Sequence, residues 1–282
     1  MLRTTLGALD FLPSCANPSL FVHRGLTLFF VLAYVDDLVF ATPDRRALAS
    51  VKEELQRRHT CTDLGELQRY QVDHILNCVL ARFVAPGRHR PSHWYAAKRM
   101  AKYVASTSGM GLVLGGKQPV TLTGFSDSSW ADDAESLRTT QGYCFSLGTR
   151  AVPWRSTRAL SVSISSYEAK VYTAAMAAQE LCWLSFLLTD LGERPCSPPV
   201  LFVDNRSAIL LCEEARLVGK AKHIQLCYFL LQELQHRGQA LVRRVVSEAN
   251  TADIFTKVLP LCDHQRFCTQ LALVSTGPHL IA

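Results

Sequence analysis

The chain has 282 residues, of which 48% are hydrophobic and 19% are charged, and its formal net charge is +6. This excludes a disordered chain and a small disulfide scaffold, and no stretch reaches the roughly 18 uninterrupted apolar residues of a membrane-spanning helix. The N-terminus lacks the pattern of a secretory signal peptide, so we expect an intracellular protein whose ten cysteines are reduced and are mostly small core residues.

Residues 1–80 predict a strand hairpin followed by a helix. Residues 26–34 are an apolar, aromatic-rich run suited to a buried strand, and residues 38–40 resume that run after a charged interruption. Two adjacent carboxylates, Asp36 and Asp37, are therefore predicted at the tip of the hairpin. Asp44 then precedes a helix over residues 45–58.

Residues 81–116 predict a basic helix followed by a glycine-containing linker. Between residues 81 and 119 there are seven basic residues and no acidic residue, with Trp94, Tyr95 and Tyr103 interleaved. A helix over residues 93–106 would carry Lys98 and the basic residues that follow it, forming a surface able to contact phosphates. A solvated basic helix without a specific partner is an equally good interpretation of the composition.

Residues 117–260 have a clearer pattern of strands and helices. Alternation predicts a three-stranded antiparallel meander, with strands over residues 120–127, 142–147 and around 152–154. A long helix is predicted over residues 165–191 because apolar residues recur at steps of three and four, and an apolar strand follows at residues 200–203. Helices over 205–213 and 223–236, a strand over 240–246 and a short helix from Thr251 complete the order βββαβααβα.

Four acidic residues lie at the ends of these predicted elements. Asp127 closes the first strand, Glu168 lies in the first turn of the long helix, Asp204 ends the apolar strand and Asp253 starts the last helix. Carboxylate oxygens suit Mg²⁺, and a pair of such ions can activate water for phosphodiester cleavage. Their order along the chain favours a shared catalytic role.

Each acid also has a purely structural interpretation. Ser165 and Glu168 have the spacing of a capping box, and Asp204 can cap the helix predicted after it. Asp253 would interact favourably with the positive end of a helix dipole, and Asp127 can be a turn residue. Spacing alone does not choose between these interpretations.

Nine motifs span nearly the whole chain. They are YVDD (34–37), DLGEL (63–67), HWYAAKRMAKYV (93–104), GFSDSSWADD (124–133), TTQGY (139–143), SSYEAKVY (165–172), FVDNRSA (202–208), AKHIQLCYF (221–229) and ANTADIFTK (249–257). In this order they resemble the C-terminal part of a copia-type retrotransposon Pol polyprotein, in which a reverse transcriptase precedes a ribonuclease H domain.

The resemblance implies an α/β fold over residues 117–260, a ribonuclease H-like mixed β-sheet flanked by helices. An incomplete reverse transcriptase palm fragment would precede it over residues 1–80, and residues 261–282 would be a C-terminal tail.

The resemblance also implies the roles of the site residues. The catalytic and metal-binding acids would be Asp127, Glu168, Asp204 and Asp253; the aspartate pair of the polymerase remnant would be Asp36 and Asp37; and the nucleic-acid contacts would be Lys98, Arg99, Lys102 and His223.

Two departures from the family pattern concern catalysis. The chain has neither the third palm aspartate nor the fingers, and the path from Leu67 to the helix near His93 is too short for the remaining palm strands and thumb. We therefore expect a truncation with an internal deletion, a poorly supported hairpin over residues 26–40 and no DNA synthesis. In the ribonuclease H region, Lys170 stands where the family commonly has a second Glu, whereas Glu168 is kept. His223 could equally be structural.

The resulting expectation is an endonuclease that cleaves the RNA strand of RNA/DNA hybrids with two Mg²⁺ ions, or with Mn²⁺. Its partners would be the RNA/DNA hybrid and intact retroelement proteins, with no membrane, in a cytoplasmic virus-like particle or in the nucleus. Two alternatives stay open at this point. The chain could bind nucleic acid without cleaving it, or it could be a non-functional transposon relic.

Overall fold

The computed structural model describes residues 2–25, 28–34, 37–65, 109–112, 120–133, 136–193, 195–204 and 222–275, together with residues 95, 98, 99, 101–103, 105 and 107. The chain divides into two compact units. The first unit contains residues 1–71 and 183–194, and the second contains residues 72–182 and 195–282.

The first unit is built on a four-stranded antiparallel sheet. Its elements are α1 (Leu2–Gly7), β1 (Phe11–Pro13), β2 (Leu20–Arg24), β3 (Leu28–Tyr34), β4 (Asp37–Ala41) and α2 (Arg45–Arg58), with strand order β1-β2-β3-β4. The predicted hairpin is confirmed, with Tyr34 opposite Asp37 in the register of β3 and β4. The predicted start of α2 is confirmed as well, because the Asp44 carboxylate accepts hydrogen bonds from the backbone NH groups of Arg46 and Ala47.

The hairpin of the first unit is better supported than its sequence suggested. Phe29 and Val31 of β3 are buried in a cluster that also contains residues from α1, β1, β2 and α2, namely Leu6, Phe11, Phe21 and Leu55. Residues 183–194 add polar contacts, since the Trp183 indole donates to the Ala16 carbonyl over 2.8 Å and the Asp190 carboxylate accepts from the Ser14 hydroxyl over 2.7 Å. The buried residues of α1, β1, β2 and α2 supply the core that residues 26–40 could not form alone.

The second unit contains the predicted mixed sheet. Its elements are β5 (Met110–Leu112), β6 (Leu122–Ser129), β7 (Thr140–Leu147), β8 (Arg150–Arg158), α3 (Ser166–Asp190, of which residues up to 182 belong to this unit), β9 (Val200–Val203), α4 (Lys222–His236) and β10 (Leu241–Arg244). The strand order is β10-β9-β6-β7-β8. Strands β6, β7 and β8 form the antiparallel meander, and β9 is parallel to both β6 and β10. The fold prediction is confirmed, whereas the helix predicted over 205–213 lies outside the described residues.

Helix α3 is a core helix with the predicted apolar stripe. Ala174, Ala177, Leu181, Leu184 and Leu188 are all buried. Among the described residues, this helix is also long and apolar enough to cross a membrane by length and composition, but half of its most apolar window is buried inside the protein. The buried stripe is the apolar face expected of a helix that packs in a core.

Residues 261–275, expected to belong to a tail, form regular structure. They contain α5 (Leu261–Gln270) and β11 (Leu273–Ser275), and β11 pairs with β5 in a small antiparallel sheet. Leu271 is buried beside Cys144 and Ala151. The expectation that most cysteines are core residues is wrong for the described ones, because four of those eight are exposed.

Candidate functional site

Asp127 and Asp204 lie on neighbouring parallel strands of the mixed sheet. The register of β6 and β9 pairs Ser126 with Val203, so the aspartates that follow these two residues lie side by side. The Asp127 side chain is fully buried and that of Asp204 is almost so. The sheet therefore brings these two sequence-predicted site residues together.

A 3-10 helix, Thr251–Phe255, brings Asp253 to the same place. Asn250 caps this helix through a 3.2 Å hydrogen bond from the Ala252 backbone NH, and its side-chain amide donates to the Ser126 carbonyl over 3.0 Å. The Thr256 hydroxyl, just after the helix, donates to the Asp127 carboxylate. These bonds tie the segment after β10 to the strand that carries Asp127.

Gly142 makes this approach possible. It lies opposite Asp127 in the register of β6 and β7. A Cβ atom added at Gly142 would lie 2.7 Å from Thr256 Cγ2 and 2.9 Å from Phe255 Cβ, which is closer than carbon atoms pack. Position 142 therefore requires glycine for the 3-10 helix to reach the sheet.

Lys170 bridges the two sheet aspartates. Its ammonium nitrogen lies 2.6 Å from Asp204 Oδ1, 2.5 Å from Asp204 Oδ2 and 3.5 Å from Asp127 Oδ1. The Ser247 hydroxyl gives Asp204 Oδ2 a further, longer contact of 3.4 Å. The ammonium group thus occupies the position between the two carboxylates.

Lys257 compensates the charge of the third aspartate. Its ammonium nitrogen lies 2.8 Å from Asp253 Oδ1 and 3.3 Å from Asp127 Oδ2. Burial raises the pKa of Asp253 to about 6, with the charges of Asp127 and Asp204 acting in the same direction and Lys257 opposing them. Burial lowers the pKa of Lys257, but its hydrogen bond to Asp253 and the charge of Asp127 outweigh that effect and leave this pKa raised.

Glu168 has different partners from the three aspartates. Its carboxylate accepts a 2.7 Å hydrogen bond from the Ile164 backbone NH, and its own NH donates to the Ser165 hydroxyl over 3.1 Å. These are the bonds of a helix N-terminal cap, in agreement with the structural alternative for this residue. Burial raises the pKa of Tyr172, and the nearby Glu168 charge raises it further.

The described side chains do not fit the two-ion site that the resemblance implies. Among them, no group of three His, Cys, Asp or Glu residues is arranged to hold a metal ion. Mg²⁺ needs a near-octahedral set of oxygen ligands, whereas here the oxygens of Asp204 contact the Lys170 ammonium and those of Asp127 and Asp253 contact Lys257. The arrangement is a buried ion-pair network.

The remaining predicted site residues lie elsewhere. Asp37 is exposed at the start of β4, and Asp36 lies outside the described residues. Lys98, Arg99 and Lys102 are exposed in a segment whose described residues between 95 and 107 are helical. His223 lies in the first turn of α4, and its side chain is outside the described part of the chain.

No role was predicted from the sequence for Asn250, Thr256 or Lys257. All three lie in the ANTADIFTK motif at 249–257, so the motif itself was a usable signal. Lys170 was noted as a departure from the family pattern, but its partners were not predicted. Arg244 was also missed; it lies exposed at the end of β10, opposite Val203 in the register with β9.

The chain is similar to several curated proteins. It is 26% identical over 349 aligned residues to the retrovirus-related Pol polyprotein from transposon RE2 of Arabidopsis thaliana, covering 98% of this chain and 24% of that protein. It is 31% identical over 183 residues to the Pol polyprotein from transposon TNT 1-94 of Nicotiana tabacum, covering 64% of this chain and 13% of that protein. It is 41% identical over 95 residues to secreted RxLR effector protein 161 of Plasmopara viticola, covering 34% of this chain and 67% of that protein.

Structural similarities are weaker. The N-terminal RNase H domain of Rv2228c from Mycobacterium tuberculosis matches with a TM-score of 0.37 and 12% identity, over 52% of this chain and 98% of that chain. The foamy viral protease-reverse transcriptase in complex with RNA/DNA hybrid matches with a TM-score of 0.37 and 9% identity, over 82% of this chain and 36% of that chain.

No protein-family model matches the chain. The alignment with the RE2 polyprotein is longer than the 282 residues of the chain, so it contains gaps in this chain, as an internal deletion would require. The chain spans about a quarter of the length of that polyprotein. The sequence similarity extends over nearly the whole chain, and it identifies the retrovirus-related Pol polyproteins of copia-type transposons as the proteins that this chain resembles.

Proposed function

We propose that this chain is a nucleic-acid-binding fragment of a copia-type Pol polyprotein, which binds RNA/DNA hybrids through its ribonuclease H-like unit without cleaving the RNA strand. The observation that carries this proposal is the pairing of all three converging aspartates with lysine ammonium groups. Lys170 contacts Asp204 and Asp127, and Lys257 contacts Asp253 and Asp127.

The charge balance at the site favours binding over cleavage. Two-ion hydrolysis needs divalent cations to activate water and to stabilise the leaving oxygen. Three clustered carboxylates attract such cations strongly only while their charges are uncompensated. Two ammonium groups neutralise most of this charge here, so little attraction for a divalent cation is left.

Exposed basic residues supply a surface for phosphates. Lys98, Arg99 and Lys102 are exposed, and the described residues around them between 95 and 107 are helical. Arg243 and Arg244 are exposed on β10, the edge strand next to the one that leads to Asp204. Contacts of this kind make binding strongly dependent on salt concentration.

Mg²⁺-dependent endonucleolytic cleavage is the second candidate function. The convergence of Asp127, Asp204 and Asp253 at one edge of the mixed sheet supports it, because clustered carboxylates are the ligands that Mg²⁺ prefers. For this candidate to hold, the lysine side chains must leave the carboxylates when the ions bind.

A binding and cleavage assay on the same purified protein tests both candidates. A labelled RNA/DNA hybrid is titrated with the full chain, with and without Mg²⁺, and the products are then separated on a denaturing gel. We expect salt-dependent binding and no cleavage. Cleavage that disappears in an Asp127→Asn variant would overturn the main proposal in favour of the nuclease.

The binding surface is tested by replacing Lys98, Arg99 and Lys102 together with alanine. We expect weaker hybrid binding and a shallower dependence of affinity on salt concentration. The matched control is Arg57→Ala with Arg58→Ala, because both arginines are exposed on α2 in the first unit and pair there with Glu54. Unchanged affinity in the triple variant would remove this segment from the proposed surface.

We also propose that the first unit has no polymerase activity. Several of its aspartates have structural partners: Asp44 caps α2, Asp63 pairs with Lys52, and Asp190 accepts a hydrogen bond from Ser14. Only Asp37 of the expected catalytic pair is among the described residues. Primer extension by the purified chain on an RNA template is the test, and any extension would contradict this proposal.

A further inference from the structure

We propose that the Lys170 ammonium group acts as a built-in cation at the aspartate site, and that the side chain at position 170 decides whether a divalent metal ion binds there. This inference deepens the proposed function, since it names the residue that separates hybrid binding from cleavage. It rests on three features of the second unit: the contacts of Lys170, the direction in which α3 presents position 170, and the lack of an equivalent contact from Lys257 to Asp204.

The contacts place the Lys170 ammonium group between two carboxylates, the position at which a metal cation would bind. Lys170 Nζ lies at hydrogen-bond distance from both oxygens of Asp204, and Asp127 Oδ1 is 3.5 Å away. The lysine side chain is largely buried, with 23% exposed, and Asp204 is 4% exposed. A buried carboxylate in this position would otherwise require another positive charge, because an uncompensated buried charge is strongly destabilising.

Helix geometry makes position 170 the one that faces the aspartates. Successive residues of an α-helix are rotated by about 100°, so residues 168 and 170 point about 200° apart. Glu168 accordingly contacts the backbone before the helix, whereas Lys170 contacts Asp127 and Asp204. The acid kept in the SSYEAKVY motif thus lies on the side of α3 opposite to the lysine.

An ammonium group and a metal ion compete for the same oxygens. A protonated lysine donates hydrogen bonds and has no lone pair with which to ligate a metal. A divalent ion bound to Asp204 at about 2.1 Å would lie beside the ammonium and would be repelled by it. Replacing the lysine by a carboxylate removes this repulsion and adds an oxygen ligand at the same position.

Lys257 does not duplicate this role. It pairs with Asp253 four residues earlier in the chain and reaches Asp127, but its described contacts do not include Asp204. Its side chain is also more exposed, at 33%, and it lies after a 3-10 helix rather than within a long helix. Lys170 is therefore the residue whose removal leaves Asp204 without a positive partner among the described contacts.

The test is Mn²⁺ binding to the full chain, measured by the electron paramagnetic resonance signal of free Mn²⁺ and by the thermal shift that Mn²⁺ causes. We expect Lys170→Glu to bind Mn²⁺ at least about tenfold more tightly than the wild type. The Mn²⁺ affinity of Lys170→Ala should lie between those of the wild type and Lys170→Glu, because this substitution removes the ammonium group without adding a ligand. Asp204→Asn in the Lys170→Glu background should abolish the gain.

Lys52→Glu is the matched control, because it makes the same change of charge on α2 in the first unit, and it should leave Mn²⁺ binding unchanged. Circular dichroism verifies folding, and if Lys170→Glu unfolds, Lys170→Ala decides the question. The inference fails if the wild type binds Mn²⁺ as tightly as the folded variants. The affinity for the RNA/DNA hybrid is measured on the same samples and is independent of Mn²⁺ binding. If the wild type did not bind the hybrid, the proposed function would be contradicted and the role of Lys170 would remain intact.

Discussion

The side-chain amide of Asn250 donates a 3.0 Å hydrogen bond to the backbone carbonyl of Ser126, and both residues are buried. Ser126 precedes Asp127 in β6, and Asn250 caps the 3-10 helix that carries Asp253. This one contact between residues distant in sequence therefore fixes two site aspartates relative to each other.

Asn250→Ala should lower the free energy of unfolding by about 1–3 kcal/mol, because it leaves the buried Ser126 carbonyl without its donor and removes the helix cap. Urea denaturation followed by circular dichroism measures the change. A loss of less than about 0.5 kcal/mol would mean that this bond contributes little. Glu248→Ala, two residues away and exposed, is the control expected to have no effect.

Gly142→Ala should also destabilise the second unit, by about 1–3 kcal/mol, because the added methyl group would overlap with Thr256 and Phe255. The 3-10 helix would have to move away from β7, and Asp127 would lose the Thr256 hydroxyl. Thermal unfolding and the chemical shifts of residues 251–257 would report the displacement. Unchanged shifts in a stable variant would show that the close approach is not needed.

The stability of the protein should depend on pH through Asp253. Its pKa is raised from 3.8 to about 6 in the folded state, mainly by burial, so the folded protein binds this proton more tightly than the unfolded chain does. The resulting stabilisation is fully present below pH 3.8 and is lost as the pH rises through about 6. Asp253→Asn removes this contribution.

Urea denaturation across this pH interval measures the difference between the two proteins. The free energy of unfolding of the wild type should decrease relative to that of Asp253→Asn as the pH rises. Parallel curves for the two proteins would refute the assignment. The control is the same pH comparison between the wild type and Asp263→Asn. Asp263 forms a solvent-accessible ion pair with Arg266 on α5.

Phe29→Ala tests whether the first unit has the core described above. Phe29 is 3% exposed in a cluster with Phe11 and Val31, so its truncation should cost about 3–5 kcal/mol. Leu28→Ala, at the neighbouring and 44% exposed position, should cost far less. Native-state hydrogen exchange of the β2–β4 amides reports this unit separately, and equal protection in both variants would contradict a packed hairpin.

Local patterns in the sequence were sufficient to predict most of the helices and strands. Asp44 ahead of the helical stretch predicted both bounds of α2, and steps of three and four predicted the buried stripe of α3. Alternation predicted the meander of β6, β7 and β8. These features are readable because caps and periodicities involve residues within a few positions of one another.

Contacts between distant residues were decided by the tertiary structure. Strand β5 precedes the strands of the large sheet in the chain and β11 follows them, yet the two pair with each other. Each has only three residues, which is too short for a periodic sequence pattern to predict it. The hydrogen bonds between residues 183–194 and Ser14 and Ala16 of the first unit are of the same kind. Such contacts form only when the chain folds, and local sequence patterns do not indicate which distant residues will be in contact.

The site itself divides in the same way. The sequence determined that four acids lie at element ends, because each acid follows or opens a recognisable strand or helix. Only the folded chain decided which of them meet: strand register joins Asp127 to Asp204, and the Asn250 bond adds Asp253. The rotation of α3 turns Lys170 toward these aspartates and Glu168 away from them, since residues two positions apart on a helix lie on nearly opposite faces.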